Sequence, residues 1–299
     1  MHTKKRKNHT FVQKQKGMLA ALLLVTVLDL FVSVYSTREI RNETTRQVEQ
    51  LVSLHTEQVY EACLRVSSNM QRLLMENQDN TRMAANGNTR EQIYAKNKLL
   101  DSINYSFGAE EEKHFFFYFE ESGDVLADSW INLQDAKESG MIHTILNRIK
   151  TDEDITTDLY RWEYFRQDDH YYMLRAYYYE KVWFVCYFPA ESMIQSLEET
   201  YQNEKNHVLL LSSDGTILCG SEWVEEDSIP KNIIDEGGVF YKNSLHRMEV
   251  VRENSQKLNL AVEVILKDYG GFSRILMLQF SVLFLVLMTL GAFVVMTVY

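Results

Sequence analysis

The sequence predicts an α+β ectodomain held between two membrane helices. Three observations carry that expectation. Two long apolar runs bracket the chain, Met18–Tyr35 and Ile275–Tyr299, each long enough to cross a ~30 Å hydrocarbon core. Nearly all the charge lies between them. Within that polar stretch a helical period gives way to short aromatic and β-branched runs separated by Gly, Asp and Asn turns.

The elements follow in order. Residues 1–17 form a basic leader with Lys4, Lys5, Arg6, Lys7, Lys14 and Lys16 and no acid. Positive charge before an apolar run places that end in the cytoplasm. The first membrane helix spans 18–35. No small-x-small cleavage site follows it, which argues for an anchor over a removed signal peptide. Asp29 interrupts it near mid-depth, about 16 Å from Met18 at 1.5 Å per residue. A carboxyl there costs roughly 2.5–3.5 kcal/mol, so either protonation or a partner is expected (Gln279, Ser281, or Asp29 of a second copy), or the membrane boundary is shifted and Asp29 lies near the outer headgroups.

Residues 36–76 read as a stalk helix continuing from the membrane. Val48, Val52, Val59, Ala62, Val66, Met70 and Leu73 recur at spacings of three and four, with His55 filling a gap. The stripe suits either a parallel helix contact in a homodimer or docking on a sheet. A polar break at Ala85–Thr89 precedes a second helix, Arg90–Ile103.

The period then changes to two. His114–Glu120 and Asp124–Trp130 read as strands around a Ser122-Gly123 turn, Asn132–Lys150 as mostly helical, and Asp158–Arg166, His170–Glu180 and Lys181–Phe188 as three antiparallel strands. After a connecting helix, Ala190–Asn206, the pattern returns. His207–Ser212 and Thr216–Ser221 flank Asp214-Gly215, and His246–Leu266 closes as a hairpin. Superposing Gly215 on Gly123 lays TILCGS over DVLADS, an internal repeat. The domains expected are thus 77–189 and 190–272, distal and proximal to the membrane, with a second membrane helix in 273–299.

Composition excludes several classes. Net charge is −11, and −17 once the leader's six positives are set aside. A surface so acidic repels nucleic acid. Cys63, Cys186 and Cys219 are too few for a disulfide framework. No His-Glu-x-x-His, P-loop, Gly-x-Ser-x-Gly or GxGxxG occurs. Neither catalytic residues, cofactor nor metal ligands are expected.

This architecture resembles the double Cache, PAS-like sensor domain of bacterial transmembrane receptors. The stretches YYMLRAYYYEKVWFVCYFPAESMI (171–194) and VLLLSSDGTILCGS (208–221) are most similar to Gram-positive sensor histidine kinases. The resemblance implies a multi-pass plasma-membrane protein with an extracellular domain that binds a small molecule in its distal module, contacts membrane lipid and works as a homodimer. The output implied is cytoplasmic, a histidine kinase or a diguanylate cyclase, and the chain reads as if cut where that output begins. An ectodomain that binds a partner protein is the alternative. Arg161-Trp162-Glu163-Tyr164 departs from the spacing of the family's amino-acid motif, so that specificity does not carry over.

The candidate ligand residues are Arg175, Tyr118, Trp162, Tyr177 and Asp128. Alternation along His170–Glu180 places Arg175 and Tyr177 on one face. An arginine among aromatics either grips an anion or pairs internally with Glu163 or Asp128.

Overall fold

The computed structural model describes residues 2–108, 112–128, 131–151, 162–201, 206–220, 238–243, 246–256, 258–269 and 271–298. The chain divides into two compact units. One comprises both chain ends with 241–248, the other Glu49–Phe240 with Glu249–Leu266.

In the first unit, helix α1 (His2–Glu76) begins and α6 (Gly271–Val298) ends the chain. Gln279 donates a hydrogen bond to Ser33, one turn beyond Asp29, while Ser281 donates to Met277 O in its own helix. Among the described residues no helix is long and apolar enough to cross a membrane.

The second unit carries the sheets. After α1 come α2 (Gln78–Asn86) and α3 (Thr89–Phe107). The break between them falls at Gly87-Asn88. Asn88 caps α3 by accepting from Glu91 N–H, and the Glu91 carboxylate accepts from Asn88 N–H, so two otherwise orphaned donors are satisfied. Strands β1 (His114–Phe119) and β2 (Val125–Ala127), helix α4 (Ala136–Thr151), and strands β3 (Glu163–Gln167), β4 (His170–Tyr179) and β5 (Val182–Pro189) follow. They form one antiparallel sheet in the order β2-β1-β5-β4-β3.

A 3-10 turn (Ala190–Met193) and α5 (Gln195–Tyr201) lead to β6 (Asn206–Ser212), β7 (Ile217–Gly220), β8 (Gly238–Asn243), β9 (His246–Ser255) and β10 (Leu260–Tyr269). These give a second antiparallel sheet in the order β7-β6-β10-β9-β8, the same topology. The turns that open the two sheets match as well. Gly123 and Gly215 both sit in left-handed backbone, φ 72° and 82°, where a side chain would be strained. Phe117 and Leu209 hold the same distance before those glycines and pair with Phe184 and Glu263 respectively.

Local differences from expectation are small. The third strand runs from Glu163; Asp158–Arg161, Ser129-Trp130 and most of Val224–Gly238 lie outside the described residues. Within the expected helix 190–206 the structure shows a 3-10 turn and then a short helix that starts at Gln195, and residues 202–205 lie outside the described residues. β8 was not foreseen.

The apolar stripe of the stalk is buried within a single chain. Val48, Val52, Cys63, Val66, Met70 and Leu73 are all at most 4% exposed, while Val59 and Ala62 are half-buried. His55 belongs to the same buried face. Its Nε2 donates to Met193 O at 2.7 Å and its Nδ1 accepts from Ser196 Oγ at 3.2 Å, tying α1 to the connector after β5.

Candidate functional site

The register divides the first sheet's side chains between two layers. Cross-strand partners share a face. One face joins Phe115, Phe117, Phe184, Cys186, Arg175 and Tyr177. It meets the helices: Phe107 of α3 stacks on Phe115 at 4.0 Å, and Tyr177 OH donates to Ser67 O of α1 at 3.4 Å. The other face joins Phe116, Tyr118, Leu174, Ala176, Trp183, Val185 and Tyr187. It forms one core with Ile142, Ile145 and Ile149 of α4.

The five candidate residues distribute across these layers. Arg175 lies on the helix face, 1% exposed, its guanidinium carbon 4.7 Å from the Tyr177 ring centroid. Trp162 joins that layer through an edge-on contact with Phe188 at 5.3 Å. Glu163 pairs with Leu174 in the β3–β4 register. Asp128, 5% exposed, holds the chain as it leaves β2. Its carboxylate accepts from the N–H groups of Phe115 at 2.7 Å and Ile131 at 3.2 Å. Tyr118 lies alone on the α4 face. Arg175, Tyr177 and Trp162 are thus brought together, and Tyr118 and Asp128 are each placed elsewhere.

Around Tyr118 the sheet assembles groups that sequence reasoning missed. Tyr118 pairs directly with Trp183, and Trp183 with Tyr178, so three aromatic residues stand in one row across β1, β5 and β4. The Trp183 and Tyr178 rings lie 4.7 Å apart at 45°. Glu120, two residues beyond Tyr118, closes the row. It accepts from Trp183 Nε1 at 2.8 Å and from Tyr178 OH at 2.9 Å. Burial and then this bond to Glu120 raise the Tyr178 phenol above its ordinary pKa. Lys150, in the last turn of α4, places Nζ 4.4 Å from the Tyr118 centroid and donates to its hydroxyl at 2.9 Å. Alternation alone points to Tyr118 and Tyr178, but the row exists only once the β1–β5–β4 register is known.

The second sheet carries a buried ion pair at the matching depth. Arg252 Nη1 lies 2.9 Å from Glu263 Oε1, with side chains 8% and 0% exposed. Among the described residues no group of three or more His, Cys, Asp and Glu could hold a metal ion.

The fold is similar to that of solved sensory domains of bacterial receptors. The sensory domain of the Campylobacter jejuni chemoreceptor Tlp3 with isoleucine bound superposes with a TM-score of 0.50 at 11% identity, covering 79% of this chain and 96% of that one. The same domain in complex with L-valine gives 0.48 at 14% identity, over 79% and 96%. The ligand-binding domain of the Pseudomonas fluorescens chemoreceptor CtaA, in complex with L-serine, gives 0.40 at 12%, over 76% and 98%. No family model and no curated protein matches the chain. The double Cache resemblance read from the sequence therefore agrees with the fold.

Proposed function

We propose that this chain is the sensing region of a membrane-anchored receptor. Its ectodomain binds a small extracellular molecule, and its two terminal helices pass the signal across the plasma membrane to a cytoplasmic output, a histidine kinase first among the candidates. The observation that carries this reading is the pair of like-ordered five-stranded sheets, preceded in the chain by a 75-residue helix and followed by a 28-residue helix, in a fold similar to that of the Tlp3 sensory domain over 79% of this chain. Membrane anchoring is supported by the uncharged run Ile275–Tyr299 and the basic leader. Division into a distal module (77–189) and a proximal one (190–272) is part of the same proposal.

The ligand site is proposed in the distal module. Tyr118 on the α4 face is the candidate with half-exposed and exposed polar neighbours. Arg175, Tyr177, Trp162 and Asp128 are interior, so a ligand reaching them would have to part the sheet from its helices. The test is a thermal-stability screen of the full chain in lipid nanodiscs against small metabolites, including the amino acids bound by the neighbours. A reproducible rise in Tm for one chemical class is expected. A flat response across a broad panel would refute the sensor reading.

Homodimerisation is proposed through α1, but not through its buried stripe. Leu54 and Met75 are 61% and 69% exposed and lie a multiple of seven residues apart, the spacing that keeps one face of paired helices in contact. One observation favours the partner-binding alternative: Ile93, Tyr94 and Tyr105 on α3 are 58%, 59% and 94% exposed. Substituting all three by serine should leave a small-molecule response intact, and its loss would favour that alternative.

A further inference from the structure

We propose that the Tyr118–Trp183–Tyr178 row with Glu120 is a binding site for an organic cation, an ammonium or quaternary amine. This rests on the sensor reading and names the ligand class of its site. Three observations carry it. The three aromatic residues are brought into one row by strand register, with the Tyr178 and Trp183 rings 4.7 Å apart, and aromatic faces attract cations desolvated against them. Glu120 supplies the countercharge and is held in place. Two aromatic N–H and O–H donors fix its two oxygens, leaving further lone pairs free, while the nearby cation Lys181 is taken by Glu121 at 2.6 Å. Finally, the site already holds a cation. The Lys150 ammonium sits over the Tyr118 ring, a tethered surrogate for a ligand ammonium that displaces it outward.

The row is open at one end and closed at the other, as a small-ligand site requires. Trp183 and Tyr118 are 7% and 9% exposed, Tyr178 is 46% exposed, and Glu120 and Lys150 reach solvent. A ligand enters past Tyr178 and replaces Lys150. An anionic ligand would meet Glu120 at short range and is disfavoured.

Isothermal titration of the full chain in nanodiscs tests this with choline and its uncharged isostere, 3,3-dimethyl-1-butanol. Choline should bind at least about tenfold more tightly than the isostere, since shape is equal and only the charge differs. Glu120→Gln, a change at an exposed position that spares the fold, should weaken choline about tenfold. Lys150→Met should tighten it, because the competing ammonium is gone. Absence of choline binding, equal binding of the isostere, an unchanged affinity in Glu120→Gln or loss of binding in Lys150→Met would each overturn the inference. Isoleucine binding in a chain that ignores choline would overturn the ligand class and leave the sensor reading standing. A flat response to the whole metabolite screen would instead remove the sensor reading itself.

Discussion

Two buried arginines stand on equivalent strands, and their surroundings assign them different consequences. Arg252 is paired at 2.9 Å with Glu263 under nearly complete burial. Removing one partner strands the other charge, so Glu263→Ala should cost about 3–5 kcal/mol in chemical denaturation. Arg252→Met combined with Glu263→Leu should recover most of that loss, because an apolar pair of similar volume needs no desolvation. A double variant as unstable as the single one would show that the pair is needed for more than charge balance. Arg175, 1% exposed, lies over the Tyr177 ring in the layer that meets the helices. Arg175→Ala should lower stability by roughly 2–4 kcal/mol with no ligand present. An unchanged Tm, coupled with lost ligand stabilisation, would return Arg175 to the binding site.

At the scale of elements, α1 buries one face in the chain's own core, and the dimer contact proposed above would use another. The Val48–Leu73 stripe is legible because apolar residues recur with the helical period. Whether that stripe meets a sheet or a second helix is not, because both partners ask for the same pattern. The structure assigns it to the chain's own core. Val66→Glu should therefore unfold the domain, whereas Leu54→Glu should weaken dimerisation in sedimentation experiments at unchanged Tm. Equal dimer affinity in Leu54→Glu would exclude the proposed face. His55 marks the junction of α1 with the connector. Burial lowers its pKa, against the raising effect of the Met193 carbonyl. A histidine whose folded pKa is depressed stabilises the fold above its unfolded value near 6.5, and that stability is lost as pH falls below it. Stability should thus decline between pH 6.5 and 5.5 in the native chain and decline less in His55→Gln; parallel pH profiles would exonerate His55. The strands were legible from alternation and turn residues, down to the paired glycines. The candidate site was only partly so. Tyr118 stands out as an aromatic on a strand, but Trp183 joins it, and binds the neighbouring Glu120, through pairing across more than sixty residues, which local pattern does not encode. β8 escaped for a related reason: a six-residue edge strand with a glycine start lacks a distinctive period.

For the molecule as a whole, the two terminal helices are the only segments the proposed topology allows to carry a signal through a bilayer. A hydrogen bond from Gln279 to Ser33 joins them. Between polar side chains in hydrocarbon such a bond is worth about 0.6–2 kcal/mol, enough to set helix register yet small enough for ligand binding to overcome. Upstream of α6, β10 runs to Tyr269. The expected motion is a change in register or rotation of α6 against the start of α1. Cysteines introduced in pairs around Ser33 and Gln279, with Cys63, Cys186 and Cys219 replaced by alanine or serine, report it through crosslinking rate. A stabilising ligand should speed some pairs and slow their neighbours one turn away. Gln279→Leu should flatten that pattern by releasing the register, without altering ligand affinity by more than the bond's own worth. Identical crosslinking rates with and without saturating ligand at every pair would mean that the two helices do not move relative to one another, and that any signal leaves by a change between protomers instead.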